Sequence, residues 1–239
     1  MEIVNLRSPV SPDRVLETPK DVSGPYYEVT NLKPGVKNPN RVNVFLDGQF
    51  AFSLDLTQVL DAKLKLGAKL SPAERQKLEH ASEFGKLYAR TLEWVLVRPR
   101  SVREARDHLR LKRFQKSYTY TDDDIEAVIS RLVAKNYVND ESFARWFIEN
   151  RNLKKGVSRR RLEQELAGKG IDKSLIEELL NASPRSDESE IKKVIIKKAK
   201  TSTPEKLLRY LLSHGFPYDA SKSLVEAYFT DPDTFLESA

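Results

Sequence analysis

The amino-acid sequence predicts a mainly α-helical chain, with three tandem copies of a three-helix module preceded by a small antiparallel β-hairpin or three-stranded sheet. Three observations predict it. Period-two apolar alternation is confined to one early stretch, a helical repeat recurs three times after it, and a helix-start residue heads the middle helix of each copy.

Residues 1–25 hold Pro9, Pro12, Pro19 and Pro25 among few large apolar side chains, so they are expected to form a disordered tail. From 26 to 70 the pattern turns to strands: YYEVTNL, then RVNVFL and QFAFSL joined by Asp47-Gly48. That pair is a strong hairpin signal, since both central turn residues need positive φ. A short helix bearing Leu56, Val59 and Leu60 follows, and Ser71-Pro72-Ala73-Glu74 is a capping box that opens a longer helix to about Val97.

Ser101, Ser158 and Thr203 each stand at an N-cap. Four residues on come Ala105, Leu162 and Leu207; eight on, Leu109, Leu166 and Leu211; thirteen on, Phe114, Ile171 and Phe216. Gly170 and Gly215 precede the last position where a helix should end, and the first copy has Arg113 there. Apolar helices flank each middle helix, so the modules are placed at 71–139, 140–183 and 184–239. Such units bury little core alone and usually stack, giving an elongated body with a concave face.

The 239-residue chain has no cysteine, which removes disulfides and thiolate metal sites and fits a reducing, cytoplasmic setting. Neither a signal peptide nor a membrane span is found, and the chain is expected to be a monomer. No catalytic constellation emerges, and no cofactor or metal is expected. His80, His108 and His214 are far apart without metal spacing, Gly168-Lys169-Gly170 lacks a phosphate-loop pattern, and Asp122-Asp123-Asp124 follows Thr121 as a helix start.

Net charge is only +6, so clustering carries the functional signal. Arg98, Arg100, Arg103, Arg106, Arg110, Lys112, Arg113 and Lys116 form one cluster. A second holds Arg151, Lys154, Lys155, Arg159, Arg160, Arg161 and Lys169, and a third Lys192, Lys193, Lys197, Lys198 and Lys200. Helical spacing puts Arg103, Arg106 and Arg110 on one stripe, and stacking is expected to join the clusters into a positive track for phosphates or an acidic groove. Part of this charge answers to intrahelical pairs such as Glu104 with nearby arginines. No aromatic interleaves the basic residues as base stacking requires, so sequence-specific readout is not expected.

RPRSVREARDHL, KNYVNDESFARWFIENR and KKGVSRRRLEQELAGKGI resemble the RecX family of regulators of the RecA recombinase. The resemblance spans about 41–230 and implies tandem three-helix modules in the groove of a RecA–DNA filament, inhibiting ATP hydrolysis and strand exchange. Arg100, Ser101 and Glu104 match its first signature, Asp140, Phe143 and Ala144 the second, and Lys155, Gly156, Glu165, Leu166, Lys169 and Gly170 the third. The surface expected to meet RecA and DNA, single- or double-stranded, is Arg98, Arg100, Arg103, Arg106, Arg110, Arg113, Arg151, Lys154, Lys155, Arg159, Arg160 and Lys169. The third module departs from the family pattern, since Ser202-Thr203-Pro204 replaces the arginine-rich turn. The alternatives are a stand-alone helical DNA-binding protein and a nucleic-acid enzyme with a metal at Asp122–Asp124.

Overall fold

A computed structural model describes residues 25–36, 38–116 and 119–237, so nearly all of the expected tail lies outside the described residues. The chain divides into two compact units, one ending at Ser82 and one beginning at Glu83.

The first unit is an antiparallel sheet of β1 (Tyr27–Pro34), β2 (Arg41–Leu46), β3 (Gln49–Asp55) and β4 (Lys69–Leu70), in the order β3-β2-β1-β4. Asp47 and Gly48 both take positive φ, as the hairpin signal requires. The expected three strands become four. β4 is two residues long and pairs with the edge of β1, and so short a segment has no alternation to read. Val29, Val44, Leu46, Phe52 and Leu54 point into one core, covered by α1 (Leu56–Asp61) and by Leu78 and Ala81. Those two side chains belong to α2 (Pro72–Leu96), which begins with the Ser71/Glu74 capping box and ends in the second unit.

The second unit continues with α3 (Val102–Lys116), α4 (Asp122–Ala134), α5 (Asp140–Asn150), α6 (Arg159–Gly168), α7 (Lys173–Ala182), α8 (Asp187–Lys198), α9 (Pro204–Ser213), α10 (Tyr218–Thr230) and α11 (Pro232–Glu237). Three apolar clusters lie along it in sequence order. One gathers residues between Phe84 and Val138, one Phe143 to Leu180, and one Ile191 to Phe235. The residues four and eight beyond each cap are buried in all three copies.

The register fails once. Ile171 and Phe216 are each 5% exposed, whereas Phe114 is 87% exposed. In the second and third copies, Gly170 and Gly215 adopt φ of +81° and +85°, which stops the helix and turns the next side chain inward. The first copy has Arg113 instead, α3 runs on to Lys116, and Phe114 is carried out to solvent. Tyr120 packs on that core from the far side of the loop and donates its hydroxyl to the Leu109 carbonyl at 2.8 Å.

Candidate functional site

The middle helices α3, α6 and α9 meet end to end through a joint made twice. The Ser101 hydroxyl accepts the Glu104 N–H, capping α3, and donates to the carbonyl of Lys169 at the end of α6. Ser158 does the same, accepting from Arg161 and donating to the His214 carbonyl at the end of α9. Beside each hydroxyl the first helical N–H finds a carboxylate from the next module, Val102 to Asp140 and Arg159 to Asp187, both at 2.8 Å. Burial pushes the Asp187 carboxyl above its usual range, against the opposing pull of the Arg159 N–H. Gly170 and Gly215 are the close-approach points, where an added Cβ would meet Arg103 Cβ at 2.9 Å and Ser158 Oγ at 3.0 Å. The third copy has Pro204 at the equivalent of Val102 and Arg159, so it carries no N–H for a further module.

These joints are flanked by three clefts that share lining residues. The largest, about 600 Å³, is floored by Phe143, Trp146 and Phe147 and walled by Arg98, Glu104, Arg151, Glu165 and Lys169. A groove of about 230 Å³ shares Glu104, Gly168 and Lys169 with it and adds Arg103, Asp107, His108 and Trp94. A third space, about 160 Å³, shares Arg151, Asn152 and Glu165 and adds Arg161, Tyr210 and His214. A continuous band therefore follows the two joints.

Within the band two carboxylates each hold two cations. Glu104 takes Arg98 at 3.1 Å and Lys169 at 2.9 Å. Burial pushes its carboxyl up, and those two hydrogen bonds together hold it below the ordinary glutamate range. Glu165 takes Arg151 at 2.9 Å and Arg161 at 2.8 Å, and its carboxyl is likewise held low, chiefly by Arg151.

Aromatic faces complete the surface. Arg98 lies over Trp146 at 4.9 Å, and Arg100 over Trp94 at 3.9 Å, with the Trp94 and His108 rings stacked at 3.9 Å. Burial lowers the pKa of His108, reinforced by Lys112 and Arg100. Cations therefore do meet aromatic rings, as arginine–tryptophan pairs within the chain. Arg98 and Trp146 come together from distant parts of the chain, whereas Trp94 and Arg100 are near neighbours in sequence.

The structure divides the twelve expected site residues. Arg98, Arg103, Arg151 and Lys169 line the band, and Arg100 stacks beside it. Arg106 is held by Glu126 at 2.6 Å, and Arg110 and Arg113 reach Asp122 at 3.6 and 3.2 Å, so the expected single stripe splits between a groove and the carboxylates of α4. Arg159 pairs with Glu163. Lys154 and Lys155 project from the exposed turn after α5, and the Arg160 stem packs near Gly215. Thr121 and Asp124 form a capping box at α4, the helix-start role expected of this acidic run, and among the described residues no acidic or histidine group is placed to hold a metal. The sequence reading had not singled out Trp94, Trp146, Asn150 and Asn152 as site residues; the first three lie on helices and Asn152 on the turn after α5, and their only signal was nearness to basic residues in the chain.

Known proteins are similar to this chain. A family model for the second three-helix domain of RecX matches residues 139–180, and one for the N-terminal domain of regulatory protein RecX matches 27–71. Regulatory protein RecX of Bacillus velezensis is 30% identical over 220 residues, covering 88% of this chain and 81% of that protein, and the Bacillus subtilis protein matches to the same extent.

The chain belongs to the RecX family.

A solved crystal structure of regulatory protein RecX aligns with a TM-score of 0.63 over 81% of this chain and 96% of its own, at 20% identity, which shows a shared fold. The match to the second RecX domain covers α5, α6 and most of α7, the helices that bring Trp146, Glu165 and most of the largest cleft's wall. The N-terminal RecX match covers the sheet and α1. No described helix is long and apolar enough to cross a membrane.

Proposed function

We propose that this RecX-family chain is a cytoplasmic regulator that binds the RecA–DNA filament and inhibits RecA's ATP hydrolysis and strand exchange. The observation that carries the reading is the continuous band of clefts along the module joints, lined by Arg98, Arg103, Arg151, Arg161 and Lys169. A band spanning several modules offers phosphates and acidic protein surface a series of contacts, and its binding free energy opposes any filament rearrangement that would break them. Arg103, which meets the exposed Asp107 at 3.8 Å, and the exposed Lys154, Lys155 and Arg160 outside the clefts carry the outward charge, since the other cations of the band are largely committed to Glu104 and Glu165.

The test is titration into RecA on single-stranded DNA while ATP hydrolysis is followed. Replacing Arg103, Lys154, Lys155 and Arg160 together by alanine is expected to leave the melting temperature unchanged and to raise the half-inhibitory concentration at least about tenfold, as loss of several phosphate contacts implies. Equal inhibition by this variant refutes the assignment of the surface. A stand-alone DNA-binding protein predicts the opposite pattern, tight and steeply salt-dependent binding to free DNA with little effect on RecA.

A further inference from the structure

We propose that Phe114 is a stacking platform for an unpaired nucleobase, placed on the basic C-terminal half of α3. The proposal deepens the reading above by naming a ligand class for the same surface, and its test needs no RecA.

A phenyl ring at 87% exposure gives up the burial that the same repeat position enjoys at Ile171 and Phe216. Its exposure follows from two features of the first copy, Arg113 in place of the helix-ending glycine and the extension of α3 to Lys116. The ring's placement on α3 agrees with the groove. Arg103, Asp107 and Leu111 line it at successive turns, and Phe114, three residues beyond Leu111, continues that stripe. A strand whose phosphates follow the basic side chains of this helix end would therefore bring a base to the Phe114 face.

Charge identifies the occupant. From His108 to the end of α3 the sequence HLRLKRFQK holds basic side chains and no acidic one, and although Asp122 of α4 takes Arg110 and Arg113, the patch keeps a net positive charge. Another protein's apolar pocket would accept the ring, but gains nothing from the net positive charge of this helix end. An aromatic face set among cations matches single-stranded nucleic acid, whose bases offer flat surfaces and whose backbone offers charge. Duplex DNA keeps its bases stacked on each other and has no free face to offer. Because every base has a π-face, the contact tolerates any sequence.

The full chain would be titrated at low salt against a labelled base-bearing single strand, an abasic strand of equal length, and a duplex. Phe114→Ala is expected to bind the base-bearing strand roughly five- to 150-fold more weakly, the range alanine substitution of a stacking aromatic gives, with the abasic strand and duplex unchanged. Phe114→Trp should restore binding and Phe114→Leu should not, since leucine keeps the apolar surface without the planar face. An equal loss on the abasic strand, no loss at all, or full rescue by leucine overturns the proposal. So does a change from dimer to monomer in sedimentation with DNA affinity intact, which would make Phe114 a contact between copies. Failure of the parent chain to inhibit RecA would overturn the proposed function while leaving this DNA result to stand or fall alone.

Discussion

The two joints between modules share one frame and differ in what surrounds it. At both, a serine hydroxyl reaches a helix-end carbonyl, an N–H reaches an aspartate of the next module, and a left-handed glycine permits the approach. Between the second and third modules, Glu190 is 1% exposed and binds Arg185 at 2.7 Å, Lys193 at 2.6 Å and the Val157 N–H at 3.0 Å. Arg185 also donates to the Arg151 carbonyl, so the pair fastens the end of α5 to α8. Between the first and second modules, a carboxylate at a different repeat position, Glu104, holds Arg98 and Lys169, which face an open cleft of about 600 Å³ against about 160 Å³ at the other joint. The repeat therefore sets the joint's geometry, while side chains outside the repeat decide whether it is closed or left open to a partner.

The largest expected effect breaks the closed joint. Glu190→Gln leaves Arg185, itself nearly buried, without its counter-charge, and removing one partner of a buried pair costs about 3–5 kcal/mol. Urea unfolding followed by circular dichroism measures it. The same carboxyl sets a pH signature. Burial raises its pKa, but Arg185, Lys193 and the Val157 N–H hold it below the usual glutamate value of about 4.3. Its stabilisation is therefore fully present above about pH 4.3 and is lost as pH falls through the lower folded value. The Gln variant should lose less stability across that acid window than the parent. A loss under about 1 kcal/mol, the size of an exposed pair, would show that the joint is not closed by this carboxylate.

Much of this was legible in the sequence, because caps and apolar spacing are local. Ser101, Ser158 and Thr203 were readable as N-caps, and the burial of Leu109, Leu166 and Leu211 follows from helical spacing alone. Phe114 was misplaced by the same logic, since the periodicity that aligned it with Ile171 ignored the glycine that its copy lacks. The two-residue β4 is held by pairing with β1, which leaves no pattern of its own. The band's electrostatics were the least legible part. The partners of Lys169 and Arg151 are Glu104 and Glu165, and the Lys169 pair lies 65 residues apart, so only the packed joint decides which cations are taken.

A middling effect sharpens the comparison by isolating the shared frame. Ser158→Ala and Ser101→Ala each remove an N-cap, about 1 kcal/mol, and also leave a helix-end carbonyl without its donor. Thr203 caps α9 through the Lys206 N–H and, among the described residues, serves no further module. Thr203→Ala should therefore be milder than either serine change by about 1 kcal/mol. Equal losses at all three positions in the same unfolding measurement would mean that the hydroxyl-to-carbonyl links add nothing.

The smallest effect on stability falls at the open joint, and it separates structure from function there. Glu104 is itself only 13% exposed, but water still reaches Arg98 and Lys169, at 29% and 40%, so neither cation is stranded and Glu104→Gln should change unfolding free energy by no more than about 1 kcal/mol. Because its carboxyl is held low, Glu104 is fully ionised at neutral pH, and the substitution removes one negative charge from the cleft wall there. The cleft then has two cations with a weaker internal claim on them, and an anionic partner gains what Glu104 loses. The expected result is tighter binding of single-stranded DNA at low salt, with the slope of log affinity against log salt steeper by about 0.7, the increment for one more phosphate neutralised on a single strand. If the variant is instead destabilised as much as Glu190→Gln, with the salt slope unchanged, Glu104 closes its joint just as Glu190 does, and the contrast between the two joints fails.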